Sequence, residues 1–461
     1  MRSSVSDMMS PGKPVVFPGD GSAFDYIVVG GGLAGLSAAT VLADRCLVLE
    51  MEERPGGLAR TECIDGYWFD HVLHLLHFQD ADMKSEVLPF QGGGGFYPCP
   101  PKALVETSAG TALYPLQMNL GSLEREEVVR CIRDLAETCF GHKEAQPSNL
   151  QESFLGKFGR SICELFMFPY NRKLWQRSLE TLSPEVSWTI AVPDFEQALR
   201  GALSSGSDFL PYNAWGWYPK GSPGVFPRGM ERLSGQIASR VPNLHCGAMV
   251  VGVNTLERIV TVLDENGETR ELRYLKGLIS TVPLPGLVAM IEDCPEGVSR
   301  SAESLEWVRV YSVMLPIAGP RPVNTVHWRY FADEDLCFTR LVYMHAFDPD
   351  MCPREGWGLL AEIPESSGKP VMDSDKVMTK TLADIHRAEA IPGNCTVLPG
   401  RVIVNDPAYA VFSGGTLDAV AGIAEWLSAR DVHVLGRYGR WEYSSMAQVI
   451  RDGLALGRSL L

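Results

Sequence analysis

The chain has 461 residues, of which 45% are hydrophobic and 21% charged, and a net charge of −15 at neutral pH. That length allows two or three substructures around a large core, and the balance is that of a globular enzyme. The acidity argues against nucleic acid and anionic membrane as partners, and no apolar run is long enough to span a bilayer. Eleven cysteines without a Cys-x-x-Cys pair read as reduced core thiols of a cytoplasmic protein, with no metal site.

Residues 1–24 hold Ser, Pro and Gly without the cationic start and apolar core of a signal peptide, and read as a flexible tail. The next stretch is the most informative. A short apolar run from Tyr26 to Val29 enters Gly30-x-Gly32-x-x-Gly35, a helix-like segment follows, and a second apolar run ends at Glu50. This is a βαβ unit with a dinucleotide fingerprint. Gly30 makes the tight turn, Gly32 lets the backbone approach a pyrophosphate, and Gly35 lets the helix pack on the strand. The helix N-terminus then offers free N–H groups to the phosphates. Glu50 is placed for a ribose hydroxyl and argues against a 2′-phosphate. With Gly56, Gly57 and Arg60 following, the cofactor read from this stretch is FAD.

Gly92 to Gly95 reads as a loop. Farther along, Arg125 to Cys139 and Leu150 to Phe168 carry helical periodicity. Ala248 to Leu263 and Val326 to Glu362 alternate and hold β-branched residues, as antiparallel strands do. Ser280 to Leu284 looks like a strand exit toward the cofactor. The segment from His433 to Leu461 runs strand, a Gly436-Arg437-Tyr438-Gly439 turn, then a helix whose N-terminus would point at the flavin ring. The predicted architecture is α/β. A discontinuous Rossmann-like FAD-binding domain (25–90, 225–300 and 396–461) carries a mainly helical substrate or nucleotide domain (91–224) and an antiparallel β-sheet substrate domain (301–395).

Four further stretches resemble the UDP-galactopyranose mutase family and its neighbours in the amine-oxidase and protoporphyrinogen-oxidase-like flavoprotein superfamily, and the resemblance runs over most of the chain. Gly66-Tyr67-Trp68-Phe69-Asp70 followed by His74 is similar to the family's flavin-facing loop, with Val72 and Leu73 replacing its glycine-containing pair. His71 and His77 stand close by, and a structural imidazole is the alternative reading of His74. Tyr114-Pro115-Leu116-Gln117-Met118-Asn119 resembles the segment in which an aromatic stacks on uracil beside a glutamine, with Leu116 in the aromatic's place. Phe168-Pro169-Tyr170-Asn171-x-Lys173-x-Trp175 resembles the motif whose tyrosine, asparagine and tryptophan line the uridine pocket. Asn171 and Trp175 lie one helical turn apart; read without the motif, Tyr170 and Trp175 are core aromatics. Phe338-Thr339-Arg340 resembles the FxR strand, whose arginine contacts the substrate diphosphate and sits by the flavin. Tyr409 and Tyr443 match two tyrosines that bracket that diphosphate. Ala191 stands where the family commonly has an arginine, and Ala447 and Gln448 replace a downstream asparagine and acid.

The resemblance implies a redox-neutral mutase. Reduced FAD attacks the anomeric carbon of a nucleotide sugar through N5, the nucleoside diphosphate leaves, and the sugar recloses with a different ring size, pyranose to furanose. Catalytic roles then fall to Arg340, His74, Tyr409 and Tyr443. Cofactor contacts fall to Gly30, Gly32, Gly35, Glu50, Gly56, Gly57, Arg60, Gly436, Arg437 and Tyr443. Substrate contacts fall to Gln117, Tyr170, Asn171, Trp175, Arg340 and Tyr409. NAD(P)H is the external reductant, docking at the flavin, since no second glycine fingerprint exists. The alternative is an FAD-dependent oxidase or dehydrogenase taking a hydride from a small amine, alcohol or sugar. Ala191 and Leu116 favour it, while Tyr170, Asn171, Trp175, Gln117 and Arg340 favour a nucleotide-bearing substrate.

Overall fold

The apolar runs at 26–29 and 46–49 do not alternate, so they belong in a sheet covered on both faces. In the computed structural model, which describes residues 23–73, 75–90, 95–141, 146–204, 216–219, 227–264, 266–322 and 326–461, this is where they lie. Most of the predicted tail, His74, and 92–94 of the predicted glycine loop lie outside the described residues. Strand β1 (Phe24–Val29), helix α1 (Leu33–Leu42) and strand β2 (Cys46–Glu50) form a parallel βαβ unit. The long strand Thr269–Ser280 pairs with the other edge of β1, and Leu244–Cys246 with the outer edge of β2. Val432–Val434 pairs with the end of Thr269–Ser280, whose beginning carries the antiparallel strands Ile259–Leu263 and Met249–Asn254. This seven-stranded sheet is therefore assembled from three separated stretches of chain.

The second sheet has eight strands. Its centre is β3 (Glu306–Ala318), with β6 (Gly356–Ser366), β5 (Arg340–Tyr343) and β4 (Trp328–Phe331) following on one side and β7 (Arg401–Val411) on the other. Ala103–Thr107 and Gly110–Leu113, from a stretch whose sequence reads as mainly helical, extend it beyond β4. Likewise β7 comes from a stretch grouped by sequence with the dinucleotide unit, yet it pairs with β3. Tyr311, Val313, Leu315 and Ile317 of β3 pack outward with Val377 and Ile385 of helix Ser374–Arg387.

The helical stretch departs from one expectation. Leu150 to Phe168 reads as one segment, but the helix Leu150–Ile162 breaks at Gly159, where φ is +73°. A side chain there would strike the Asp134 backbone at 2.7 Å, and the Asp134 carboxylate accepts the freed Ser161 N–H at 2.9 Å. A π turn, Cys163–Met167, then leads into Phe168–Trp175. At the end of the chain α2 (Met446–Ser459) lies on α1 at glycine distance: a Cβ on Gly453 would stand 2.5 Å from the Ala34 carbonyl oxygen.

Candidate functional site

The glycine turn is built as the spacing requires. Gly30 has φ of +102°, and a Cβ on Gly35 would stand 2.2 Å from the Gly30 carbonyl oxygen. Gly32 is the N-cap of α1 and offers no side-chain cap, so the first N–H groups of the helix are left for a ligand. A Cβ on Gly32 would meet nothing within 4 Å. The second glycine pair closes on this turn through the Gly56 N–H, which donates to the Gly31 carbonyl at 2.8 Å. Arg60 donates from Nε to the Gly57 carbonyl at 3.2 Å and pairs with Glu52 at 2.9 Å.

Glu50 is buried, and burial raises its pKa against the pull of two N–H groups. Those are Gly31 N–H at 2.7 Å on Oε2 and Glu52 N–H at 2.9 Å on Oε1, and each oxygen keeps a lone pair for a hydroxyl. Gly436, with φ of +77°, passes against the first turn of α1: its Cβ would meet that of Ala34 at 2.9 Å. Its neighbour Arg437 is thereby placed at the same end of the sheet. A bare helix N-terminus, a turn that excludes side chains at Gly30 and Gly35 and leaves open space at Gly32, and a buried acid fit the diphosphate and ribose of a dinucleotide.

Across the second sheet, strand register places four polar side chains in one transverse row. Tyr330 of β4 faces Arg340 of β5, Arg340 faces Glu362 of β6, and Glu362 faces Ser312 of β3. Residues directly opposite one another share a face, so the row is continuous. Glu362 accepts from Arg340 Nε at 2.8 Å and from Nη2 at 2.7 Å, a bidentate pair that is largely buried. Burial alone would lower the arginine's pKa, but Glu362 foremost, with Tyr330, Tyr409 and Tyr170, raises it, and the guanidinium stays charged.

The same row docks the loop that follows Asp70. Leu73 N–H donates to Glu362 at 3.3 Å, and the His71 carbonyl accepts from Ser312 Oγ at 2.5 Å and from Asn405 Nδ2 at 3.5 Å. His71 Nε2 lies 3.0 Å from Glu62, and the His71 backbone N–H donates to the Arg60 carbonyl at 3.1 Å. Arg60 and Arg340 are thus linked through one short loop.

Aromatic rings complete this wall. Tyr330 contacts Tyr114 at 5.1 Å and Tyr170 edge-on at 5.4 Å, and Tyr170 contacts Phe166 at 5.1 Å. Trp175 lies edge-on to Tyr409 at 6.1 Å and to Tyr443 at 6.2 Å, and the Arg437 guanidinium covers Tyr443 at 5.0 Å and Tyr409 at 5.7 Å. Tyr438 and Tyr443 donate their hydroxyls to the carbonyls of Ala408 and Ala410, on either side of Tyr409. Burial raises the pKa of Tyr170, Tyr330 and Tyr409, so all three remain protonated phenols at neutral pH.

Of the expected substrate contacts, two amides are engaged within the protein. Asn171 donates from Nδ2 to the Met167 carbonyl at 2.7 Å and accepts from Trp175 Nε1 at 3.2 Å. Gln117 donates to the Ala191 carbonyl at 2.7 Å, while its buried Oε1 has no hydrogen-bond partner among the described residues. Arg340, Tyr170, Trp175, Tyr409, Tyr443 and Arg437 come together, and the glycines with Glu50 and Arg60 form the adjoining turn. Glu362 and Tyr330 carry no sequence motif. An acid in the middle of the otherwise apolar run from Trp357 to Pro364 is the available signal for Glu362.

Fold and site together define a dinucleotide-binding α/β protein built on two large sheets, whose Rossmann-like unit is completed by the far end of the chain. Residues 28–85 match the family model of an NAD(P)-binding Rossmann-like domain. Among solved structures, reduced UDP-galactopyranose mutase superposes with a TM-score of 0.83 at 22% identity, covering 94% of this chain and 95% of that one. A protein assigned as a protoporphyrinogen oxidase from Exiguobacterium sp. 255-15 has a TM-score of 0.68 at 16% identity (95% and 98% covered). Cyclohexylamine oxidase from Brevibacterium oxydans IH-35A has 0.64 at 15% (95% and 99%). The chain therefore has the fold shared by the UDP-galactopyranose mutase and amine-oxidase flavoproteins, as its motifs led us to expect.

Proposed function

We propose that this chain is an FAD-dependent enzyme acting on a nucleoside-diphosphate sugar, with mutase-like pyranose to furanose ring isomerisation. The observation that carries the reading is Arg340: a guanidinium held charged by Glu362 and ringed by Tyr170, Tyr330 and Tyr409. Such a group suits phosphate oxygens, because its fork of donors is fixed and its charge does not titrate away.

Reduced FAD, when bound, supplies a nucleophile suited to an anomeric carbon. The chain's own residues then bind and orient the substrate. Arg340 takes the diphosphate, and the protonated Tyr409 donates to it and stabilises the charge that grows as the anomeric bond breaks. Tyr443, whose proton is committed to Ala410, holds the strand beside Tyr409 and has lone pairs left for a ligand donor. Tyr170 and Trp175 wall the nucleoside end, with Gln117 and Asn171 behind them, and His74 keeps its motif-based place at the flavin. The glycine turn, Glu50, Arg60 and Arg437 hold the FAD, NAD(P)H is the external reductant, and the free thiols fit a cytoplasmic setting.

One observation favours a second reading, an FAD-dependent oxidase or dehydrogenase of small amines, alcohols or sugars. The Asn171 amide is spent on Met167 and Trp175 and has less to offer a nucleobase. Titrating the holoenzyme with UDP, oxidised and dithionite-reduced, decides between them by flavin absorbance and fluorescence. Saturable binding, tighter in the reduced form, supports the nucleotide-sugar enzyme. No response in either form overturns it in favour of the oxidoreductase.

A further inference from the structure

Tyr409 stands on an irregular strand, and the irregularity is braced from outside the site. Between the pairs Val308 with Tyr409 and Val310 with Asn405, the single residue Arg309 of β3 faces Asp406, Pro407 and Ala408 of β7. Such a bulge re-aims the side chains beside it. Side chains alternate along β3, so Arg309 and Tyr311 point away from the face that carries Ser312, and hence away from the Arg340 row. On that far face Arg309 is 5% exposed. Its Nε lies 3.2 Å from Asp406 Oδ2, its Nη1 3.6 Å from Glu365, and its Nη2 donates to the Ser367 carbonyl at 3.2 Å. Trp307 donates from Nε1 to the other oxygen of Asp406, and its ring lies edge-on to Trp441 at 6.0 Å, two residues before Tyr443. Tyr311 donates to Glu365 at 2.6 Å and closes the network.

We propose that this brace of Arg309, Asp406 and Trp307 sets the position of Tyr409 in the site, making Arg309 and Asp406 positioning residues for the reaction although neither reaches a ligand. Two considerations carry it. A buried guanidinium set between two carboxylates is no more stabilising than an apolar cluster of the same volume, so global stability does not account for it, whereas fixing one geometry does. The peptide units around Tyr409 are also held from the opposite side, where Tyr438 and Tyr443 donate to the carbonyls of Ala408 and Ala410. Asp406 supplies the second anchor. With one anchor missing, the bulge can relax and carry the Tyr409 ring with it.

The role of Tyr409 in turnover rests on the function proposed above, whereas its placement does not, and the test separates them. Arg309→Met is made alone and with Tyr409→Phe, and each form is assayed for kcat and KM on UDP-galactofuranose, for UDP affinity, and for its melting temperature. Tyrosines are replaced by 3-fluorotyrosine, and Tyr409→Phe assigns the position-409 fluorine resonance. The expected result is a protein that still folds but melts below wild type, because Glu365 and Asp406 lose their cation, with a shifted or broadened 409 resonance and a kcat at least tenfold lower at a temperature where it is fully folded. Arg309→Met should cost no further activity once Tyr409 is Phe, because coupled positions do not add. Asp406→Asn, which keeps volume and the acceptor for Trp307, repeats the test if Arg309→Met fails to fold. An unmoved 409 resonance, or additive losses in the double variant, overturns the proposal. A moved resonance in a protein whose wild type ignores UDP and its sugars sinks the substrate assignment and leaves the brace standing.

Discussion

Glu362→Gln removes one buried negative charge while keeping the shape around it. In the wild type the carboxylate receives Arg340 Nε at 2.8 Å, Arg340 Nη2 at 2.7 Å and the Leu73 N–H at 3.3 Å. The glutamine keeps one acceptor oxygen and turns a donor toward a donor, so one charge-assisted bond is lost, about 1.5–3 kcal/mol of stability. On the ligand side the sign reverses. A carboxylate and a phosphate bridged by one guanidinium stand roughly 6.5 Å apart and repel by about 2.5 kcal/mol at an effective dielectric constant of about 20. Solvent and salt reduce that to about 1–2.5 kcal/mol, so UDP is expected to bind about 5–70-fold tighter to the variant. Calorimetric titration of UDP and urea unfolding measure the two effects separately. Glu362→Ala, which leaves no acceptor to orient the guanidinium, should lose the gain. Weaker or unchanged UDP binding to a folded Glu362→Gln protein would refute the idea that the acid holds Arg340's charge against the ligand.

Gly35→Ala puts a methyl 2.2 Å from the Gly30 carbonyl oxygen, so the turn must open; purified protein should carry less than a tenth of the wild-type flavin by absorbance. Burial pulls the Lys173 ammonium down to about 8, from 10.5 in a free chain. Between those values the unfolded chain binds the extra proton, so the stability contributed by this group rises with pH from 8 to 10.5, by about 3 kcal/mol. Lys173→Met, which gives up the hydrogen bond to the Asp333 carbonyl, should be about 2 kcal/mol more stable than wild type at pH 7 in urea unfolding, the gap closing toward pH 10.5. Burial likewise holds His327 and His345 neutral, with pKa values of about 4. Their folded values lie below the free 6.5, so stability is lost as pH falls from 6.5 through 4, and imidazole proton resonances should titrate near 4; midpoints near 6.5 would contradict this.

What could be read in the sequence was local. The glycine turn and Glu50 are properties of consecutive residues, and Phe338-Thr339-Arg340 announces a strand arginine by its own pattern. What was hidden depends on register. Glu362 meets Arg340, and Tyr330 meets it from the other side, only because three strands align at one position. The docking of the 71–73 loop by Ser312, Asn405 and Glu362 is likewise invisible, since it joins side chains more than two hundred residues apart to backbone groups. Leu150 to Phe168 was misread as one segment because helical periodicity tolerates a glycine. The break at Gly159 is imposed from outside, by Asp134 of the neighbouring helix.

The seating of α2 on α1 has a consequence for biosynthesis. Roughly 400 residues separate the two helices, so at about 5–20 residues per second a ribosome needs roughly 20–80 s to deliver the second after the first. Until then the Gly30 turn lacks the segment around Gly436 and Arg437 that closes its end of the sheet. If the chain carries FAD as proposed, loading is expected to finish only after the last helix is made, and a nascent or prematurely terminated chain would keep its nucleotide site unfinished. Bound flavin in a cell extract would report how many chains reached their last helix.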